Sequence, residues 1–338
     1  MNQVTETITT DCLIVGAGAL GLLLAYALDR SSQENHKTTR VLLHNRTPLV
    51  NCIDLELATG NQTKWQLTVE TTSPTQCLEK VNPASIYFCV PPESTESVFM
   101  NWLDALERVA TPKQPVLFVF CNNGCLSVRT LERISRADSQ FSFIRSLFFV
   151  GAIREKNQTG CIVRWTGGSR VIWNFLRPPS VEQSSSSAMI SGPFTQSSRQ
   201  LAFMEWSQEK HIFPAERAKF FTNFMLAVGI GPKLAKNKTL SAILEDSIVS
   251  LQAEQFAILW EQFGVSADIL KTTLQKTIQA TGENINSLSL AAFYGNSDTM
   301  QSFFEFVTQE ISASPRRSEL APMIRFLTTA RTAWRSGK

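Results

Sequence analysis

The chain has 338 residues, 43% of them hydrophobic and 18% charged, with a formal net charge of +3. That balance excludes a disordered chain, and the length exceeds one ordinary core, so two domains are expected. So small a charge, without a dense Lys/Arg block, argues against a nucleic-acid partner. No apolar run reaches the roughly 18 residues of a membrane span.

The first ten residues are polar and lack the basic-then-apolar order of a signal peptide. Seven cysteines, an odd number without a C-x-x-C pair, read as reduced thiols in or near the core of a cytoplasmic protein. His36, His44 and His211 make no metal-ligand spacing with each other or with the cysteines, so no metal is expected.

In chain order, "CLIVGAGALGLLLAYALDR" reads as strand, tight turn and helix. "RVLLHNR" is a second buried strand, and "SIYFCVPP" a third that ends at prolines. "SVFMNWLDALERVA" has amphipathic helical spacing, and "QPVLFVFCNNG" is a strand closed by a turn signal. Strands alternating with helices predict a doubly wound parallel sheet, an α/β Rossmann-type domain. The β-rich stretch from Ser142 to Phe175 closes that domain with antiparallel strands. The expected domain covers residues 1–178, and the Ser/Pro-rich stretch 179–200 reads as a linker or surface loop. From 201 to 338 the chain reads as an all-α substrate and catalytic domain, beginning with "QLAFMEWSQEK" and continuing through "ERAKFFTNFMLAVGIG".

"GAGALG" fits G-x-G-x-x-G directly after a strand and at the opening of a helix. Gly16 permits the tight turn, Gly18 lets backbone approach a pyrophosphate, and Gly21 permits close helix–strand packing. Ala17, Ala19 and Leu20 complete a loop whose free N–H groups suit phosphate; the competing reading is a glycine-rich turn without a ligand. After the second strand the chain carries Arg46 where a site for NAD usually has an acid. A guanidinium suits a 2′-phosphate, which favours NADP(H); a surface arginine is the competing reading. "CVPP" and "CNNG" end two strands and should border the cofactor, with Asn123 the better polar candidate and Asn122 its neighbour. A plain turn is the competing role.

These motifs, in this order, resemble the ketopantoate reductases (2-dehydropantoate 2-reductases) across nearly the whole chain. "GAGALG" is similar to that family's nucleotide loop and Arg46 to its 2′-phosphate ligand. "CNNG" resembles its N-G turn, which points to Asn123 and Gly124. "VGAIREKNQTGCIVRWTGG" is similar to its β segment, with Ala152 a cofactor backbone contact. "AKFFTNF" looks like its helix with a catalytic lysine, Lys219, and an asparagine one turn on, Asn223. "KNKTL" and "GENINSLSL" resemble segments that contribute Asn237 and Ser287.

The resemblance implies NADPH-dependent reduction of ketopantoate to pantoate in pantothenate and coenzyme A biosynthesis. Lys219 would polarise the carbonyl and donate the proton, and Asn123, Asn223, Asn237 and Ser287 would bind substrate. The expected partner is a small keto acid, and a homodimer is compatible with the resemblance. The chain departs from the family pattern at Ala227, where a second helix asparagine is usual, and at Pro91, where a lysine is. It departs again at Thr299, which replaces a glutamate beside Asp298. Three alternatives stay open: a different keto acid, an imine substrate, or an NADP-binding sensor without turnover. For Lys219 itself, a snorkelling side chain is the competing reading, and for Asp298 a helix N-cap.

Overall fold

The computed structural model describes residues 11–34, 40–46, 52–56, 62–66, 68–108, 115–157, 160–178, 194, 198–201, 204–230, 247–281 and 298–336. It divides into two compact units. The first holds Met1–Asn123 and Val128–Lys210, the second Gly124–Ser127 and His211–Lys338.

The first unit is built on one sheet. Strands β1 (Asp11–Val15), β2 (Arg40–His44), β5 (Thr68–Glu70), β6 (Pro83–Phe88), β7 (Val116–Phe120) and β8 (Phe141–Asn157) run parallel, in spatial order β5-β2-β1-β6-β7-β8. Numbered by their own succession along the chain, these six stand in the order 3-2-1-4-5-6 of a doubly wound dinucleotide-binding sheet, with its switch point between β1 and β6. The expected α/β Rossmann-type architecture is therefore present. Beyond β8 the sheet continues antiparallel into β9 (Gly160–Arg177), which pairs parallel with β11 (Met204–Gln208), and β11 pairs antiparallel with β10 (Ser198–Leu201). A hairpin of β3 (Cys52–Glu56) and β4 (Gln62–Gln66) pairs with the distal half of β9 through Ile53–Glu56.

Parallel strands are covered on both faces, which explains the unbroken apolar runs of β1, β6 and β7. On one face Phe88, Phe118 and Phe143 stack across β6, β7 and β8, and Phe99 of α3 (Pro92–Arg108) meets each of them edge-on. On the other lies α1 (Ala19–Glu34), in which every residue from Leu22 to Leu28 is buried. An ordinary surface helix buries one stripe; α1 buries its whole girth because its outer side is covered as well. Leu55 of β3 and Cys161 and Val163 of β9 join its cluster. Trp65 of β4 meets Tyr26 edge-on and donates its indole N–H to Asp29 at 3.0 Å.

Two expectations are corrected here. "QLAFMEWSQEK" is not helical: it supplies parts of β10 and β11, and in β11 burial alternates, with Met204 and Trp206 buried and Glu205 exposed. That two-residue period belongs to a strand, and apolar content alone had hidden it. Nor is the Ser/Pro-rich stretch all surface. Phe194 is buried against Tyr87, Trp173 and Trp206, and Ser198–Gln200 lie in β10. The rest of 179–200 lies outside the described residues.

The second unit is helical: α5 (Ile212–Ile230), α6 (Ser247–Leu259), α7 (Ala267–Thr281), α8 (Asp298–Ala313) and α9 (Ala321–Ser336). Its core gathers Phe220, Phe221 and Phe224 of α5 with Phe256 and Trp260, and with Phe303 and Phe304 of α8. Cys125 of the inserted segment packs on the same cluster. Each buried aromatic side chain contributes roughly 2–3 kcal/mol of transfer free energy, so this cluster dominates the stability of the unit.

His44, the last residue of β2, is buried, lies edge-on to Trp102 and donates from Nε2 to the Thr72 carbonyl at 2.7 Å. Burial holds its pKa below the usual value near 6.5, against the raising effects of the Thr72 carbonyl and of Glu70. The folded state then binds fewer protons at this site than the unfolded one. The contribution is complete above the unfolded value and is lost as pH falls through the folded one. The urea midpoint is expected to drop between pH 7 and pH 5, and to drop less in His44→Gln. Equal slopes in the two proteins would contradict this.

Candidate nucleotide and catalytic site

The carboxyl edge of the parallel strands is fixed by main-chain hydrogen bonds one residue past each strand. Gly16 donates to the His44 carbonyl at 2.9 Å, Cys89 to that of Val15 at 2.8 Å, and Cys121 to that of Phe88 at 3.0 Å. The turns after β1, β2, β6 and β7 therefore gather on one side of the switch point, the crevice where open α/β sheets bind ligands.

The three glycines of the first turn differ. Gly16 has φ +106°, and a Cβ there would stand 2.8 Å from the Cys89 carbonyl oxygen. At Gly21 a Cβ would meet the Gly16 oxygen at 2.0 Å. Both are glycine for the sake of the fold. Gly18 is exposed, and a Cβ there would meet nothing within 4 Å. Among the described residues no packing demands glycine at that position, and the backbone there is open to close approach from outside. Ala17 is buried, Ala19 and Leu20 are half-buried, and the Gly18 carbonyl accepts the Leu22 amide at 3.0 Å as α1 begins. The first turn of α1 holds no acidic side chain. Free N–H groups, a favourable helix dipole and an uncluttered backbone suit a phosphate.

Arg46 is the second residue past β2 and is exposed, and among the described residues it makes no ion pair. At the end of β7, Asn122 is buried and Asn123 exposed. The division has a cause that the sequence did not disclose. Arg145 of β8 is wholly buried and donates to the carbonyls of Phe120 at 2.9 Å, Asn122 at 3.0 Å and Ser146 at 3.1 Å. Asn122 donates to the Asn123 carbonyl at 3.0 Å. The buried guanidinium and Asn122 thus form the inside of the turn and leave Asn123 on its outside. Burial pushes the neighbouring Cys121 thiol well up, and the Cys89 thiol adds to the shift.

Ala152 is half-buried on β8, just past a double register shift at Phe149–Gly151–Ala152. Opposite the shift Gly168 has φ +73°, and a Cβ there would lie 2.2 Å from the Phe149 oxygen. Bulges bend strands. Two residues past Ala152, on the same strand face, Arg154 donates to the carbonyl of Ala17 at 2.7 Å. This tie links the glycine-rich turn to a strand 137 positions away.

In the helical unit, α5 is buried on nearly every side, with Lys219 and Asn223 forming a half-buried stripe that Ala227, fully buried, continues. The sequence drew attention to Lys219 and Asn223 as its polar anomalies. The deeper charges are Glu216 and Arg217 beside them, which pair with each other. Arg217 lies over the Phe263 ring at 4.3 Å, and Glu310, its carboxyl pushed up by burial, accepts the Trp260 indole N–H at 3.2 Å. Asp298 is exposed in the first turn of α8, where the dipole favours an acid, and Thr299 is half-buried. Pro91 is exposed. Asn237 and Ser287 lie outside the described residues.

The residues the sequence missed had unequal signals. Arg145 interrupts the apolar run "FSFIRSLFF", which is a visible anomaly. Arg154 stands among the ordinary charges of "REK", and only the topology singles it out. Among the described residues no group of three His, Cys, Asp or Glu could hold a metal ion, and no helix is long and apolar enough to cross a membrane.

No protein-family profile matches the chain, and no curated protein matches it by sequence. Solved structures do match in fold. A protein of Bacillus subtilis described as a probable 2-dehydropantoate 2-reductase is 16% identical, with 96% of this chain and 99% of that one covered at a TM-score of 0.66. A D-mandelate dehydrogenase solved with NADH and anilino(oxo)acetate is 14% identical, with 97% and 99% covered at 0.65. A dimeric ketopantoate reductase of Staphylococcus aureus is 12% identical, with 97% and 100% covered at 0.62. The chain thus has the fold of the ketopantoate reductases over nearly its whole length.

Gly21→Ala should cost about 3 kcal/mol or more, because its methyl meets main chain that cannot move aside. Gly18→Ala should leave stability within about 0.5 kcal/mol. Urea unfolding of the two variants checks the contrast, and equal losses would show that Gly18 also serves packing.

Proposed function

We propose that the chain is an NADPH-dependent reductase of a 2-keto acid, with ketopantoate the first substrate to test. The observation that carries the proposal is the glycine-rich turn at the switch point. Its first and third glycines are demanded by main-chain contacts, while the second faces open space at a helix N-terminus. Those residues fit the diphosphate of a dinucleotide. Arg46, exposed at the end of β2 with Asn45 before it, fits a 2′-phosphate better than a free ribose hydroxyl.

NADPH, when bound, supplies the hydride that the carbonyl carbon accepts. The chain must hold the keto acid and bring a proton to the developing alkoxide. Lys219 is assigned that proton: its ammonium polarises the carbonyl oxygen and then protonates it. The assignment rests on the likeness of "AKFFTNF" to the reductase helix and on the half-buried position of Lys219 on α5. Asn223, one helical turn on, orients the lysine or the substrate, and Asn123, Asn237 and Ser287 are assigned to substrate oxygens. A cytoplasmic homodimer acting in pantothenate synthesis accords with this reading.

A second reading, a reductase of a different 2-keto acid, is favoured by Ala227, which offers no amide on the third turn of the α5 stripe. The fold shared with a D-mandelate dehydrogenase supports it too.

NADPH oxidation with ketopantoate beside other branched and aromatic 2-keto acids tests both readings. Turnover with ketopantoate supports the first and turnover with another acid the second; binding of NADPH without any turnover would leave a sensor. Lys219→Ala should lower kcat by about 100-fold or more with NADPH affinity kept. Arg46→Ala should weaken NADPH by about tenfold or more and NADH hardly at all. Undiminished turnover in Lys219→Ala would remove the assigned acid.

A further inference from the structure

We propose that Arg154 is a second cationic residue of the nucleotide site and binds the diphosphate of the dinucleotide. The inference rests on the nucleotide reading above and adds a residue from outside the glycine-rich turn.

Arg154 lies on the part of β8 beyond the Phe149–Gly151–Ala152 register shift, in the antiparallel ribbon with β9. One N–H of its guanidinium donates to the Ala17 carbonyl at 2.7 Å, so its head group stands at the turn itself. A guanidinium has five N–H donors in a fixed fork, and the one on Ala17 leaves others for an oxygen ligand in the same plane. Glu155, the next residue, is engaged elsewhere: it pairs with Arg164 at 2.7 Å. Among the described residues no carboxylate forms an ion pair with Arg154. Its tie to the described residues is to a neutral carbonyl, which takes a donor without cancelling the charge.

Two more features of the same few residues favour an anion. The start of α1 presents the positive end of its dipole and carries no acid in the first turn. Gly18, the next residue after Ala17, has nothing within 4 Å of where a side chain would be. An arginine, a helix N-terminus and an open backbone meet within two residues, the combination that binds phosphate oxygens by charge-assisted hydrogen bonds. A purely structural role would need only a donor to Ala17, and the fork and the charge would be superfluous. Arg46 and Arg154 then divide the cofactor between them, Arg46 taking the 2′-phosphate and Arg154 the diphosphate.

The test is equilibrium binding by isothermal titration, with NADP+ as the ligand that has both phosphate groups and 2′-AMP as the one that lacks the diphosphate. In Arg154→Ala the Kd for NADP+ should rise about 10- to 100-fold, with that for 2′-AMP unchanged. In Arg46→Ala both ligands should weaken. Arg154→Lys should fall between wild type and Arg154→Ala for NADP+, since it keeps the charge and loses the fork. Thermal melting of Arg154→Ala close to wild type shows that the fold survives. Unchanged NADP+ affinity in Arg154→Ala would overturn the proposal, as would equal weakening of both ligands, which marks a residue that only props up the turn. If wild-type protein itself fails to bind NADP+, the nucleotide reading falls and this inference with it. The two failures are distinguishable because one appears in the variant alone and the other already in the wild type.

Discussion

The double register shift in β8, facing a left-handed Gly168, is the constraint on which the first unit depends. Up to Phe149 the β8–β9 ribbon is an extension of the parallel sheet, carrying Arg145 and the stacked Phe143. Past Ala152 the same two strands leave that register, take on β3 through Ile53–Glu56, and bring Arg154 to the glycine-rich turn. A straight ribbon would leave the outer side of α1 in water. Because bulges bend a ribbon, a helix with seven consecutive buried residues finds cover on both sides. The steric limit is severe: any side chain at Gly168 would collide with the Phe149 carbonyl.

Buried charge is the second organising element, and each unit has its own. Arg145 is solvated by main-chain carbonyls at the end of β7 and fixes which asparagine of the turn points inward. Arg217 is paired with Glu216 and lies over aromatic rings in the helical core. A guanidinium tolerates such places because its charge is spread over a plane and more weakly hydrated than an ammonium. Desolvating such a group is costly, so these arginines define geometry more than they add stability. Removing either would take a charged donor from its partners inside the core.

Much of the fold was legible because its determinants are local. The glycine spacing, the unbroken apolar runs of β1, β6 and β7 and the amphipathic period of α3 each announce themselves within a dozen residues. What escaped depends on distant partners. Met204 and Trp206 alternate with Glu205 in the manner of a strand, yet that signal is only five residues long and sits in an apolar context that also suits a helix. Phe194 is one aromatic in a serine-rich stretch, and its burial is decided by Tyr87, Trp173 and Trp206. In the candidate site the same division holds. Gly16, Gly18 and Gly21 could be assigned separate duties from their spacing, whereas the tie from Arg154 to Ala17 exists only because a bent ribbon returns to the turn. Lys219 was conspicuous for its apolar setting, and the same criterion applied to Glu216 and Arg217 would have found the deeper pair.

The segment Gly124–Ser127 belongs with the helical unit although it lies between β7 and α4 (Val128–Arg136) of the first. The chain therefore passes between the units at three points rather than one: after Asn123, after Ser127 and after Lys210. A single recombination event at Lys210 would transplant the helices from α5 onward without Gly124–Ser127, and would leave Cys125 without the helical core it packs on. A chimaera that exchanges the helical unit therefore needs a second exchange at the turn after β7 to carry Gly124–Ser127 with it.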